Sequence, residues 1–304
     1  MKEFSLDSFR KIGKYRSVLG ESPVWDEKLQ RLYWVDIESK KLYAWDYNTN
    51  NSQSWNFDNK ICAISLTEDK EILLCAFDKF FAFYNINSNK LTKLNNDLII
   101  PNTVRFNDGK TDGFGRFWCG TMSESYPKKP EASIYMLDNN LKIYKIFEDI
   151  IISNSIVSSN DNKSIYFSDT PLKRIYKANF SNEGVNNTEK ANIFVGEESF
   201  IGFPDGSTID VENNLWNAEW DGSRVVVYNN KAEIINEINL SIKRPTSCTF
   251  GGPAMDLLFI TSAMLDNNLN NEKKNLNGRT LCIKTNSKGN FSKKFKCSDI
   301  KAKY

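Results

Sequence analysis

No histidine occurs anywhere in the 304 residues. That absence excludes the Ser-His-Asp and Cys-His hydrolases and any His-ligated zinc, so acid–base chemistry must run on carboxylates, Lys, Tyr, Cys or metal-bound water. Neither sign of charge dominates: 40 Lys and Arg stand against 38 Asp and Glu, and the net balance carries no nucleic-acid footprint and no membrane-attracting field. Long apolar runs are missing, with nothing approaching the roughly 20 residues of a membrane span. The opening MKEFSLDSFRKIG has no apolar signal core either. A soluble, cytoplasmic protein that meets neither nucleic acid nor membrane is expected, and composition carries no signal of its oligomeric state. CxxC spacings are absent too. Cys62, Cys75, Cys119, Cys248, Cys282 and Cys297 mostly sit among strand-like apolar residues and are expected as buried free thiols.

What the chain does have is aromatic residues, 20 Phe, 12 Tyr and 7 Trp, which favour pleated, half-buried surfaces. Six strand cores recur: RLYWVD from Arg31, EILLCAF from Glu71, GRFWCGT from Gly115, KSIYFSD from Lys163, NNLWNAE from Asn213 and DLLFITS from Asp256. Their starts are 40, 44, 48, 50 and 43 residues apart. Each is preceded by a shorter strand with a polar turn and followed by another strand. A repeat of about 40–50 residues holding several short strands has the size of a propeller blade. The expected fold is all-β, a six-bladed β-propeller with four-stranded blades around a central channel, in a single domain spanning 1–304. The polar segment from Met264 to Asn277 is expected as an insertion over one face, and the basic tail from Lys293 to Lys303 as a solvated edge.

Stepping back ten or eleven residues from the first apolar residue of each aromatic strand gives equivalent starts for the first strand of every blade: Glu21, Cys62, Asn107, Asn154, Asp205 and Thr246. First strands of propeller blades line the channel, so these starts are expected to form a ring around one mouth. Glu21, Asn154 and Asp205, with Asn107 as a fourth candidate, offer hard oxygen donors suited to one divalent cation: Ca²⁺, Mg²⁺, Mn²⁺, Fe²⁺ or Zn²⁺. So few protein ligands leave positions open for water or substrate, as at a catalytic metal. Cys62 is expected to pack rather than ligate, and Trp25, Trp34, Trp118, Trp216 and Trp220 to serve as blade core or rim.

The stretches LGESPVWDEKLQRLYWVDI, RFNDGKTDGFGRFWCGTMSE, SNSIVSSNDNKSIYFSDT, PDGSTIDVENNLWNAEWDGSRV and RPTSCTFGGPAMDLLFITSA resemble, in order, the SMP-30/gluconolactonase/regucalcin family. The resemblance runs from about Leu19 to Leu281. It implies a six-bladed propeller that binds one divalent cation and hydrolyses a small sugar lactone to the aldonic acid. By that resemblance Glu21, Asn154 and Asp205 fall on metal ligands, and Arg105 and Asn107 on substrate contacts. Glu124 falls where the family has an acidic substrate contact, with Ser125 in place of a second acid and SNS at Ser153 in place of SNG. With no imidazole present, Asp205 is the candidate base for the attacking water. Two alternatives stand beside the lactonase: a Ca²⁺-binding propeller without turnover, and a fluorophosphatase-like phosphotriester hydrolase.

Overall fold

Short acidic and amide side chains reverse the chain between strands. Asp26 Oδ1 accepts the Lys28 and Leu29 amides at 2.9 and 3.1 Å, and Asp210 Oδ1 accepts those of Glu212 and Asn214 at 3.0 and 2.8 Å. Gln30, Asn162 and Asn213 close such turns in the left-handed region, with φ of 50°, 55° and 68°. The computed structural model describes residues 9–95, 98–182, 191–264 and 275–297. Residues 1–8, residues 265–274 of the polar segment and residues 298–303 of the basic tail lie outside the described residues.

The chain forms two compact units, Met1–Lys60 with Glu198–Ser292, and Ile61–Glu197 with Lys293–Tyr304. The first unit holds three four-stranded antiparallel sheets. One runs Gly20–Asp26, Arg31–Asp36, Lys41–Asp46, Ser52–Asn56, and a second runs Phe203–Ile209, Leu215–Trp220, Arg224–Tyr228, Ile234–Asn239. The third joins Pro245–Gly251, Leu257–Ser262 and Thr280–Lys284, and takes its fourth strand, Arg10–Ile12, from near the other end of the sequence.

The second unit repeats the pattern. Its sheets are Ile61–Leu66, Ile72–Phe77, Phe81–Asn85, Lys90–Lys93; then Val104–Thr111, Phe117–Ser123, Ala132–Leu137, Ile143–Ile150; then Ser153–Ser158, Ser164–Asp169, Arg174–Asn179, Asn192–Val195. Among the described residues the only helical turns are the 3₁₀ turns Thr170–Leu172 and Glu197–Ser199. These are the blades of an all-β, six-bladed propeller, as the repeat spacing predicts.

Strand position within a sheet decides burial. First and second strands are buried almost throughout, while fourth strands such as Ser52–Asn56 and Ile234–Asn239 are largely exposed. Trp25, Trp34, Trp118 and Trp216 are at most 2% exposed and serve as core, whereas Trp220 is only half-buried. Two of the buried indoles are satisfied by the same device: Asp112 accepts Trp118 Nε1 at 2.8 Å and Asp210 accepts Trp216 Nε1 at 3.0 Å. All six cysteines are buried and free. The start of the basic tail departs from the solvated edge expected of it. Phe295 is fully buried and its amide donates to the Leu66 carbonyl at 2.8 Å, because an aromatic flanked by lysines still gains more from burial than from water.

Candidate functional site

One register position recurs in all six sheets. Val24 pairs with Tyr33, Ser65 with Leu74, Lys110 with Trp118, Val157 with Tyr166, Thr208 with Trp216 and Thr249 with Phe259. Three residues before the first member of each pair stand Glu21, Cys62, Asn107, Asn154, Asp205 and Thr246, the residues that the sequence alignment equates. The ladder register shifts at or beside this position in every sheet. A β-bulge of this kind re-aims a side chain that regular pleating would alternate away. All six residues are buried.

The bulge leaves a backbone signature after two of the candidate ligands. Ser22 and Ser155 take φ of 48° and 57°, a left-handed conformation unusual for a side chain with a Cβ. Ser155 is thus the non-glycine residue that the SNS motif sets beside Asn154. After Asp205 the chain has Gly206 instead, where a side chain would run into Ser247 of the next sheet.

In the first unit, Glu21 is 7% and Asp205 5% exposed. Glu21 Oε2 accepts the Ser22 amide at 3.2 Å. Asn217 Nδ2 donates to the Asp205 carbonyl and to Ser207 Oγ, both at 2.9 Å, fixing the strand that carries the carboxylate. Thr246 Oγ1 donates to the Gly20 carbonyl, so the sheet of Thr246 is tied to that of Glu21 at this level.

In the second unit, the equivalent positions form a hydrogen-bonded row. Arg105 Nη1 donates to Asn107 Oδ1 at 2.9 Å, Asn107 Nδ2 donates to Asn154 Oδ1 at 2.8 Å and to the Ser153 carbonyl at 3.0 Å, and Asn154 Nδ2 donates to Thr170 Oγ1 at 2.9 Å. With its amide nitrogen spent on Thr170, Asn154 has a defined oxygen side. Glu124 Oε1 lies 3.5 Å from Arg105 Nε. Four predicted residues, Arg105, Asn107, Glu124 and Asn154, are thereby brought together. Asp108 turns the other way, accepting the Ile156 amide at 3.0 Å, and burial pushes its carboxyl up.

Three positioning carboxylates escaped the motif reading. Asp36 accepts the Val18 and Leu19 amides at 2.9 and 3.1 Å, Asp169 accepts the Ile151 and Ile152 amides at 3.1 Å each, and Glu219 accepts the Gly202 amide at 3.0 Å. Each pins the backbone just before a candidate ligand: Glu21, Asn154 and Asp205. Glu219 is paired with Arg224 at 2.7 Å, and burial pushes the Asp169 carboxyl up. At the same register position the other three sheets carry Phe77, Thr121 and Ser262 and have no such acid. The signal was present as the terminal acid of RLYWVD, KSIYFSD and NNLWNAE, overshadowed by the aromatics used to align them.

Most of the chain is similar to known proteins. The SMP-30/gluconolactonase/LRE-like region model matches residues 19–264. A regucalcin of Xenopus laevis is 32% identical over 250 residues, which cover 81% of this chain and 83% of that protein. An L-arabinolactonase of Azospirillum brasilense is 30% identical over 253 residues, covering 82% of each. Among solved structures, a regucalcin from Agrobacterium tumefaciens, described as a calcium-binding protein, is 27% identical with a TM-score of 0.86, covering 96% of this chain and 98% of that one.

Proposed function

Because the chain belongs to the SMP-30/gluconolactonase/LRE-like family, we propose that it hydrolyses a sugar lactone to the aldonic acid, with one divalent cation held by Glu21, Asn154 and Asp205. The observation that carries this reading is the shared register position, which sets two carboxylates and an oriented amide at bulges of otherwise unrelated segments. The donor set fits a dication: two carboxylates balance its charge, and the oxygens are hard. Among the described residues no three Cys, Asp or Glu side chains gather into a competing site.

When bound, the cation supplies Lewis acidity toward the lactone carbonyl. The chain's own residues do the rest. Asp205 orients the attacking water and accepts its proton. Water oxygen then bonds to the carbonyl carbon, the ring C–O bond breaks, and the leaving oxygen takes a proton to become a hydroxyl. Arg105 and Asn107, already tied to each other, hold the sugar by its oxygens, and Glu124 accepts from a ring hydroxyl. The aldonic acid ionises, so each turnover releases a proton.

The named L-arabinolactonase supports a five- or six-membered aldonolactone as substrate. To test the proposal, the protein is stripped with chelator, single divalent metals are added back, and proton release is followed on a panel of aldonolactones. Metal-restored turnover is expected. Flat traces with every metal would favour a cation-binding protein without turnover, the reading to which the calcium-binding relative lends weight.

A further inference from the structure

A second basic side chain stands near Arg105. Lys128 lies in the loop between the strands Phe117–Ser123 and Ala132–Leu137, and its Nζ donates to the Ser123 carbonyl at 2.7 Å. This loop is built rather than loose. Glu131 Oε1 accepts the Ser123 and Ser125 hydroxyls, each at 2.6 Å, and Glu131 Oε2 accepts the Thr103 hydroxyl at 3.2 Å. Ser123 Oγ in turn accepts the Ser125 and Lys129 amides at 3.2 and 3.3 Å. Those hydroxyls hold the Glu131 carboxyl below the usual carboxylate range, so it stays an anion committed to the loop. Lys128 Nζ thus sits on the carbonyl of the residue before Glu124, the carboxylate that faces Arg105, and burial, then the Arg105 charge, push its ammonium down.

Charge at this spot does not balance. Arg105 is 4% exposed; its Nη1 is used by the Phe106 carbonyl and Asn107, and its Nε faces Glu124. Among the described residues its Nη2 donates to no protein atom. Lys128 donates to a neutral carbonyl rather than to a carboxylate. Arg105 and Lys128 therefore both stand at Glu124, while the loop's other carboxylate, Glu131, has Lys129 beside it. Sugar hydroxyls hydrogen-bond to such groups without neutralising them, whereas an anion does both.

Building on the lactonase reading, we infer that Lys128 and Arg105 form an anion subsite, and that the preferred substrate is a lactone bearing a carboxylate or a phosphate monoester away from its reacting carbonyl. Arg105 Nη2 donates to an oxygen of such a group, and Lys128 adds a point charge.

The test compares kcat/KM for a neutral aldonolactone, an aldaric monolactone and an aldonolactone phosphate in the wild type, Lys128→Met and Lys128→Arg. At least one anionic lactone is expected to outrun the neutral one in the wild type. In Lys128→Met the anionic-to-neutral ratio falls about tenfold, the size of one lost charge at short range near a surface. Lys128→Arg restores the ratio, and raising salt narrows it in the wild type. Which anionic lactone leads separates carboxylate from phosphate. A ratio unmoved by Lys128→Met overturns the subsite and leaves the lactonase standing. If the wild type opens none of the three lactones, the lactonase reading fails instead. Calorimetric binding of the aldarate and of the aldonate phosphate then decides the subsite: about tenfold weaker binding to Lys128→Met supports it, and equal binding removes it.

Discussion

The strand Ser153–Ser158 is buried along its whole length and polar at both ends, and the two ends are treated differently. At the far end the chain supplies its own cation. Lys293 Nζ donates to Ser158 Oγ at 2.8 Å, to the Ser159 carbonyl at 3.2 Å and to Asn162 Oδ1 at 3.4 Å, while Phe295 anchors the segment. At the near end, Asn154 presents an amide oxygen oriented by Asn107 and Thr170, and no lysine of the described chain reaches it. Buried oxygens need a positive partner. The lesson is that one end is completed by a charged donor and the other by neutral amide and hydroxyl partners, which is where the proposed cation would add its charge.

The largest test of that contrast removes the two carboxylates of the proposed cation site. Asp205→Ala and Glu21→Ala are each expected to lower kcat by at least about 10³-fold, with the circular dichroism spectrum unchanged. Full activity in either would remove the metal mechanism. Next come the backbone pins. Asp36→Asn and Asp169→Asn each replace a carboxylate that accepts two amides by a group with one oxygen, and should weaken divalent-metal affinity about 10- to 100-fold by calorimetry. Ser262→Ala, at the end of a second strand with no pin, should leave that affinity within about twofold. Equal losses in all three would make the carboxylates ordinary structural groups.

The smallest effect belongs to the far end. Burial pushes Lys293 from 10.5 down to about 8. Below that value the ammonium is charged in both states and the cost of burying it is fully felt. Between about 8 and 10.5 the unfolded chain binds the proton that the folded chain has released, so unfolding free energy rises with pH across this window. Urea unfolding at pH 7.5 and pH 10 should show the wild type gaining on the order of 1–2 kcal/mol relative to Lys293→Met. A difference that does not move with pH would mean that Lys293 is solvated.

Much of this was legible in the sequence, for a specific reason. Aromatic second strands recur with enough regularity to align the repeats, and the alignment lands Glu21, Asn107, Asn154 and Asp205 on one register position because the bulge is repeated too. What was not legible depends on tertiary contacts that leave weak local marks. Left-handed Ser22 and Ser155 carry no glycine to announce them. Lys293 reads as one lysine in a basic tail until Ser158 and Asn162 are brought under it. The three-residue strand Arg10–Ile12 is too short to show a period.

That last strand sets a condition on how the protein is made. Arg10 pairs with Cys282 and Ile12 with Thr280, so this sheet is completed only when two segments far apart in sequence meet. Until that pairing forms, the outer edge of Thr280–Lys284 has no neighbour and is open to the same arm of another molecule. Deleting residues through Ile12 turns that transient edge into a permanent one.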